Sequence, residues 1–268
     1  MNALVIVSML TGRLITIGRH LLRTIGTAQT DKVIYNKRNP YVVEAILNKE
    51  KALNALDHEM IKSLSSEADD WSKDGLLKAI LLRGMGKKAF CAGGDVKSLY
   101  EAKVSQQDKT QKPEILDNFF RDEFTCDYKM ASLKPSLIAL WDGIVMGGGV
   151  GISINAPFKI ATENSMFAMP EGKIGFFTDV GGGYFLARLH DNIGLYLGLT
   201  SQKLKGKDLV RAGLAHYYLP SENITELEQR LFDNPKPETL TPEGIATTLK
   251  DLCEKVDGEL PNLSDIKR

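Results

Sequence analysis

The chain has 268 residues, 43% hydrophobic and 25% charged, an ordinary globular composition with enough length for a sizeable core. Lys plus Arg and Asp plus Glu each number 34, so bulk charge gives no case for a nucleic-acid partner. No apolar run approaches the roughly 18 residues that a membrane span needs. The three cysteines, Cys91, Cys126 and Cys253, form no CxxC pair, which argues against a zinc site or a disulfide framework and fits a reducing compartment.

Residues 1–30 stand apart. They carry Arg13, Arg19, His20 and Arg23, several threonines and no acid, the composition of a mitochondrial transit peptide. A secretory signal would place its basic residues before the apolar run Ala3 to Leu10, and here they follow it. The remainder reads as a core domain over 31–220 and a helical segment over 221–268. Two strand-like runs, around Val33–Tyr35 and Tyr41–Leu47, flank the turn residues Lys37 to Pro40. His58 to Lys73 has helical spacing with Met60, Ile61, Leu64, Ala68 and Trp71 on one face, and Asp57 can cap it. Leu76 to Leu82 reads as a buried strand, Gly84 to Lys88 as a basic loop, and Val96–Lys103 as a helix.

Val104 to Gln111 reads as a mobile polar connector. Pro113 opens a long amphipathic helix whose apolar stripe would be Ile115, Leu116, Phe119, Phe120, Phe124 and Tyr128. Ser136 to Trp141 is a second buried strand, followed by a glycine triplet and a small-residue helix. Helices are expected over Tyr184 to His190 and Gly194 to Leu199, then a helix, turn and short strand over Lys203 to Pro220. Charged amphipathic helices over Glu222 to Phe232 and Thr241 to Val256 flank a proline-rich hinge. Strands and helices alternate, so the fold class is α/β.

Two glycine-rich turns, FCAGGD (Phe90 to Asp95) and MGGGVG (Met146 to Gly151), each lie between a strand and a helix. Taken singly, each is a tight turn. No GxGxxG or GxxxxGK[ST] occurs at either, which argues against a dinucleotide site and excludes a P-loop. Together they suggest a paired oxyanion hole, one backbone N–H from each, in which a donor typically contributes ~3–4 kcal/mol to the barrier. Glu171 and Asp179 follow among Phe167, Met169, Ile174, Phe176 and Phe177, where burial would raise a carboxylic pKa and suit it to proton transfer. Glu123, in FFRDEF, fits the solvated face of its helix as readily as a site. Lys87, Lys88, Lys97, Lys203, Lys205 and Lys207 could meet phosphate, although a solvated face is the default reading.

From about Val33 to Pro220 these motifs, with NKEKALNALD before them and LVRAGLAHYYLP after them, resemble the crotonase (enoyl-CoA hydratase/isomerase) superfamily in order and separation. The stretch FAMPEGKIGFFTDVGGGYFLARL is similar to the superfamily's thioester-hydrolase branch. The resemblance implies a crotonase spiral of repeated ββα turns, two roughly perpendicular sheets, outer helices and a helical C-terminal part. It implies hydrolysis of an acyl-CoA, 3-hydroxyisobutyryl-CoA in the first instance, in the mitochondrial matrix. No cofactor is implied, CoA being part of the substrate, and no metal, nucleic-acid or membrane partner; a homo-oligomer fits the superfamily's habit of forming trimers.

Carried over residue by residue, the N–H groups of Gly94 and Gly148 would form the oxyanion hole and the Ala92 region would lie along the adenine. Glu171 would act as nucleophile or base, Asp179 would assist proton transfer or hold a substrate hydroxyl, and Glu123 would touch substrate. Hydratases carry a second glutamate where this chain has Gly151 and a glycine where it has Asp179, so hydration fits poorly. An enoyl-CoA hydratase or isomerase is the alternative activity. Glu50 for Pro, Asp142 for His and Thr178 for Pro are local departures. Hydrolases of this branch continue beyond the equivalent of Arg268 through helices that help complete the CoA site. The chain is therefore expected to be shortened, which also raises an inactive CoA-binding protein as a third reading.

Overall fold

The computed structural model describes residues 31–37, 39–106, 113–232 and 236–260. The leader expected over 1–30 and most of the connector expected over 104–111 lie outside them. The architecture below is that of the unit beginning at Lys32.

Ten strands occur among the described residues: β1 (Val33–Asn36), β2 (Val42–Leu47), β3 (Ala79–Gly84), β4 (Ala89–Cys91), β5 (Ser136–Trp141), β6 (Ile144–Met146), β7 (Phe158–Ala161), β8 (Met166–Ala168), β9 (Leu204–Lys205) and β10 (Tyr217–Tyr218). They form a six-stranded sheet, β1-β2-β3-β5-β7-β10, and a four-stranded sheet, β4-β6-β8-β9. Only the β1–β2 hairpin and the β8–β9 pair are antiparallel. The chain alternates between the sheets, with β3, β5 and β7 in the first and β4, β6 and β8 in the second.

The nine α-helices among the described residues are α1 (His58–Lys73), α2 (Val96–Ser105), α3 (Glu114–Ala131), α4 (Gly148–Gly151), α5 (Gly182–Phe185), α6 (Ile193–Thr200), α7 (Asp208–Arg211), α8 (Ile224–Phe232) and α9 (Pro242–Leu252). Helix α1 starts where Asp57 accepts from Met60 N at 3.0 Å, satisfying one of the free N–H groups of its first turn, and buries the five expected side chains. It packs against α3 through His58 Nε2 to Asp122 Oδ2 (2.7 Å) and Lys129 Nζ to Asp69 Oδ2 (2.7 Å).

The parallel strands obey the period of two. Ile80, Leu82, Leu137, Ala139 and Trp141 join a large core with α1 and α3, while Ala79, Leu81, Ile138 and Leu140 face the opposite way. That second face is covered by Leu227, Leu231, Phe232, Ile245 and Leu249, so the segment after Pro220 shares a core with the sheet. Helix α9 stops at Leu252, earlier than Val256, and the strand expected from Leu76 starts at Ala79, leaving Leu76 exposed.

Candidate active site

The site is built where β4 and β6 leave the smaller sheet side by side. At the first turn, Leu56 N donates to Gly93 O and Asp95 N donates to Leu56 O, both at 2.8 Å. These two bonds bracket Gly94, whose own N–H has no acceptor among the described residues. Asp95 anchors the turn from below, accepting from Ser98 N (3.1 Å) at the start of α2 and from Lys49 Nζ (2.7 Å). The N–H of Ala92 is taken by Leu53 O at 3.0 Å, which leaves its half-buried edge as the outer rim of the turn.

At the second turn Gly147 has φ 45 and ψ −122, a conformation open in practice only to glycine, and α4 begins immediately after it. The Gly148 N–H is one of the donors that a helix start leaves unpaired. The turns abut: a β-carbon at Gly148 would lie 3.2 Å from Gly94 N, and one at Gly93 would lie 3.8 Å from Gly148 N. The two turns thus lie against each other, with the Gly94 and Gly148 N–H groups close together. Helix α4 is fixed from behind by Ser153 Oγ, which donates to Gly149 O (2.7 Å) and accepts from Trp141 Nε1 (2.9 Å).

Four carboxyl groups lie beside these turns or near one another. Glu171 opens a short 3-10 turn, is 5% exposed, and carries Oε1 to 3.0 Å from where a β-carbon of Gly147 would stand. Its Oε2 is closed off from solvent and has no hydrogen-bond partner. Burial pushes its pKa up to about 7, the Asp179 charge adding to the effect and a backbone N–H opposing it. Asp179 is also raised by burial. Glu123 is 2% exposed, its Oε1 lying 3.4 Å from a β-carbon position at Gly94 and meeting one at Gly148. Burial first, then the Asp179 and Glu171 charges, push it up to about 8. Asp127, one turn further along α3, is pushed up to about 8 by burial and then by Glu123 and Asp179.

Glu171 and Glu123 lie against the two glycine turns, and Asp179 is near enough for its charge to raise the pKa of both. The surroundings differ from expectation in two ways. Phe124 and Tyr128, expected in the apolar stripe of α3, are exposed, and the buried face carries Phe119, Glu123, Cys126 and Met130. Of the apolar residues expected around Glu171 and Asp179, Phe167 and Met169 are buried while Ile174 and Phe177 are exposed. Phe176 stacks between Phe177 (4.4 Å) and Phe120 (5.8 Å), an aromatic ladder joining α3 to the segment after Glu171.

Asp127 is a further acid of this group that the sequence reading does not single out, although Glu123 and Asp127 are spaced i, i+4 between Phe119, Cys126 and Met130, on the same side of the helix. Asp142 accepts from Thr162 Oγ1 (2.7 Å) and Asn164 Nδ2 (3.0 Å) and ties down the β7–β8 turn. Among the lysines considered for phosphate, Lys207 pairs with Glu254 and Lys97 with Glu101. Among the described residues no group of three or more His, Cys, Asp or Glu is placed to hold a metal, and no helix is long and apolar enough to cross a membrane.

Alternation between a larger and a smaller parallel sheet, with two abutting glycine turns beside buried carboxyl groups, defines the class of fold. The chain belongs to the enoyl-CoA hydratase/isomerase family, which it matches over residues 42–267. Among curated relatives it is 38% identical, over 96% of its own length and 68% of the relative's, to a protein of Dictyostelium discoideum named 3-hydroxyisobutyryl-CoA hydrolase, mitochondrial. A Mus musculus protein of the same name is 45% identical over 74% of this chain and 50% of the relative. The chain thus spans half to about two thirds of these relatives. Among solved structures, a carnitinyl-CoA dehydratase from Mycobacterium thermoresistibile superposes with a TM-score of 0.75 at 29% identity, covering 89% of this chain and 65% of that one.

Proposed function

We propose that the chain is an acyl-CoA thioester hydrolase that converts 3-hydroxyisobutyryl-CoA and water to 3-hydroxyisobutyrate and CoA, a step of valine breakdown in the mitochondrial matrix. The observation that carries the reading is the buried Glu171 carboxyl facing two unpaired N–H groups, with glycine at 151 and an acid at 179. The names of the relatives point the same way.

In this reading the thioester carbonyl oxygen enters between Gly94 N–H and Gly148 N–H. Glu171 in its ionised form takes a proton from a water molecule as the water oxygen bonds to the acyl carbon. Negative charge moves onto the carbonyl oxygen, where the two donors stabilise it. The carbon–sulfur bond then breaks, the electron pair leaves with sulfur, and the proton returns to give the thiol. A base with a pKa near 7 is matched to this task at neutral pH.

The test is release of free thiol from 3-hydroxyisobutyryl-CoA. Turnover well above that of Glu171→Gln supports the reading, and no difference from that variant overturns it. The likeness to a dehydratase structure keeps hydration as the second reading. Loss of enoyl absorbance from crotonyl-CoA without thiol release would select it.

A further inference from the structure

We propose that Lys49 is a positioning residue for the Gly94 N–H, stapling the first glycine turn to the loop that precedes α1. The inference rests on the reading that this N–H receives the thioester oxygen. Its starting point is a side chain that the reaction does not use. The Lys49 ammonium donates to Asp95 Oδ2 at 2.7 Å and to Asp57 Oδ2 at 3.1 Å, with no more than 20% of any of the three side chains exposed. Both acids are helix caps. Asp57 accepts from Met60 N at the start of α1, and Asp95, next in the chain after Gly94, accepts from Ser98 N at the start of α2. One cation thus joins two helix starts, reaching across 46 residues of chain to the second.

The loop between Lys49 and Asp57 is the template on which the Gly94 turn is laid. Leu53 O accepts from Ala92 N at 3.0 Å, while Leu56 N donates to Gly93 O and Leu56 O accepts from Asp95 N, both at 2.8 Å. The loop is strained in that shape. Leu53 and Asn54 have φ 53 and 55, successive left-handed residues of which only the asparagine takes the conformation readily. Such a conformation persists where its surroundings over-determine it. Asn54, wholly buried, supplies part of that constraint: its Oδ1 accepts from Lys49 N (2.9 Å), and its Nδ2 donates to Met85 O (3.0 Å) and Ala89 O (2.7 Å). Lys49 supplies another part, because its backbone closes the loop onto Asn54 while its side chain reaches over to the turn.

The two ends of the staple are not equal. Asp57 also has Lys32 at 3.0 Å, so the cap of α1 keeps a cation without Lys49. Asp95 has Lys49 as its one cation among the described residues. Loss of the ammonium therefore falls on the Gly94 side, where it leaves a largely buried carboxylate unpaired on the residue that follows the donor. An oxyanion donor has its full effect only at fixed geometry, and a displacement of about 1 Å can cost on the order of a hundredfold in rate.

The experiment measures thiol release from 3-hydroxyisobutyryl-CoA, and exchange of individual backbone amides, in Lys49→Met and Lys49→Arg. The methionine variant should lower kcat by about ten- to a hundredfold with the Michaelis constant changed less than about threefold, and arginine should restore most of the rate. Exchange at Leu56 and Asp95 should quicken by about tenfold or more, while Met60 in the first turn of α1 stays as it was. If the methionine variant does not fold, Asp95→Asn removes the charge pair, keeps a cap for Ser98 N, and gives the same two readouts. A cation that only stabilises the fold would move all amides together and leave turnover per folded molecule alone. Uniform quickening of exchange, an unchanged kcat in an active chain, or no rescue by arginine would each overturn the proposal. Thiol release by the unsubstituted chain is scored separately. If it is absent, the hydrolase reading fails on its own, and exchange at Leu56 and Asp95 against Met60 decides whether Lys49 holds the turn.

Discussion

Two places in this protein bury acidic side chains, and they treat them oppositely. On the edge hairpin, Glu44 is wholly buried and accepts from Arg83 Nε at 2.7 Å and Asn36 Nδ2 at 2.8 Å, with Glu228 of α8 drawn to the same guanidinium at 3.3 Å. Around the glycine turns, Glu123, Asp127, Glu171 and Asp179 are buried or half-buried together, and no cation figures among the causes of their raised pKa values. The first arrangement uses a charge to hold a strand to its neighbour and to a helix. The second sets several carboxyl groups together with no cation beside them, and burial and mutual repulsion raise their pKa values. Burial alone does not separate a structural acid from a functional one; the presence of a partner does.

The contrast can be broken most directly at Glu171. Its replacement by glutamine keeps the shape and removes the base, and thiol release should fall by about 10²–10⁴-fold with melting temperature unchanged or higher. A loss of less than tenfold would mean that proton transfer runs through another group. Next in size is Gly148→Ala, whose β-carbon would meet Glu123 Oε1 and crowd Gly94 N. The rate constant should drop by roughly 10²–10³-fold, the range seen for loss of one oxyanion donor, and the Michaelis constant should change far less.

The satisfied cluster should respond in the other currency. Glu44→Gln leaves Arg83 without its buried counter-charge, so the protein should lose about 1–3 kcal/mol of stability in denaturant titrations, while activity per folded molecule stays at the level of the unsubstituted chain. A change in turnover would show that the edge hairpin communicates with the site.

The smallest effects are those of pH, and they oppose each other. Glu171 acts ionised, so kcat/KM should rise with pH through about 7 and then level off. Stability should move the other way. Folded-state pKa values of about 8 for Glu123 and Asp127 stand above the ordinary values of 4.5 and 3.8. The folded protein binds more protons than the unfolded chain between those limits, so the contribution of these acids is fully present below about pH 4 and is lost as pH rises through about 8. Melting curves across that interval should show the decline, and Glu123→Gln with Asp127→Asn should flatten it.

Local signals were legible and tertiary ones were not. Helix α1 could be read to the residue because its cap at Asp57 and its stripe from Met60 to Trp71 are fixed by nearest neighbours along the chain. The two glycine turns were legible because a close approach of backbones demands that residue type. The inner face of α3 is not marked by its hydrophobic stripe. This helix lies over a polar site, so its buried face includes Glu123, and its rings at Phe124 and Tyr128 are turned out. Nothing within α3 announces that; it follows from what β4, β6 and α4 place opposite. The placement of Asp127 is equally invisible within α3, since the space it fills belongs to Gly151 on another element.

Gly149 has a practical consequence for anyone assaying this protein. A β-carbon there would come 2.6 Å from the Cys91 carbonyl oxygen and 2.9 Å from its sulfur, so the glycine turn is clamped directly onto a buried thiol. Burial pushes the Cys91 thiol up to about 12 and raises Cys126 as well, and Cys253, half-buried, rises to about 12. Colorimetric thiol reagents react with thiolate, so the native chain should contribute almost no background against released CoA. The same reagent, added to substrate-free protein, becomes a clock for opening: colour from Cys91 would record the moment at which the oxyanion turns come apart.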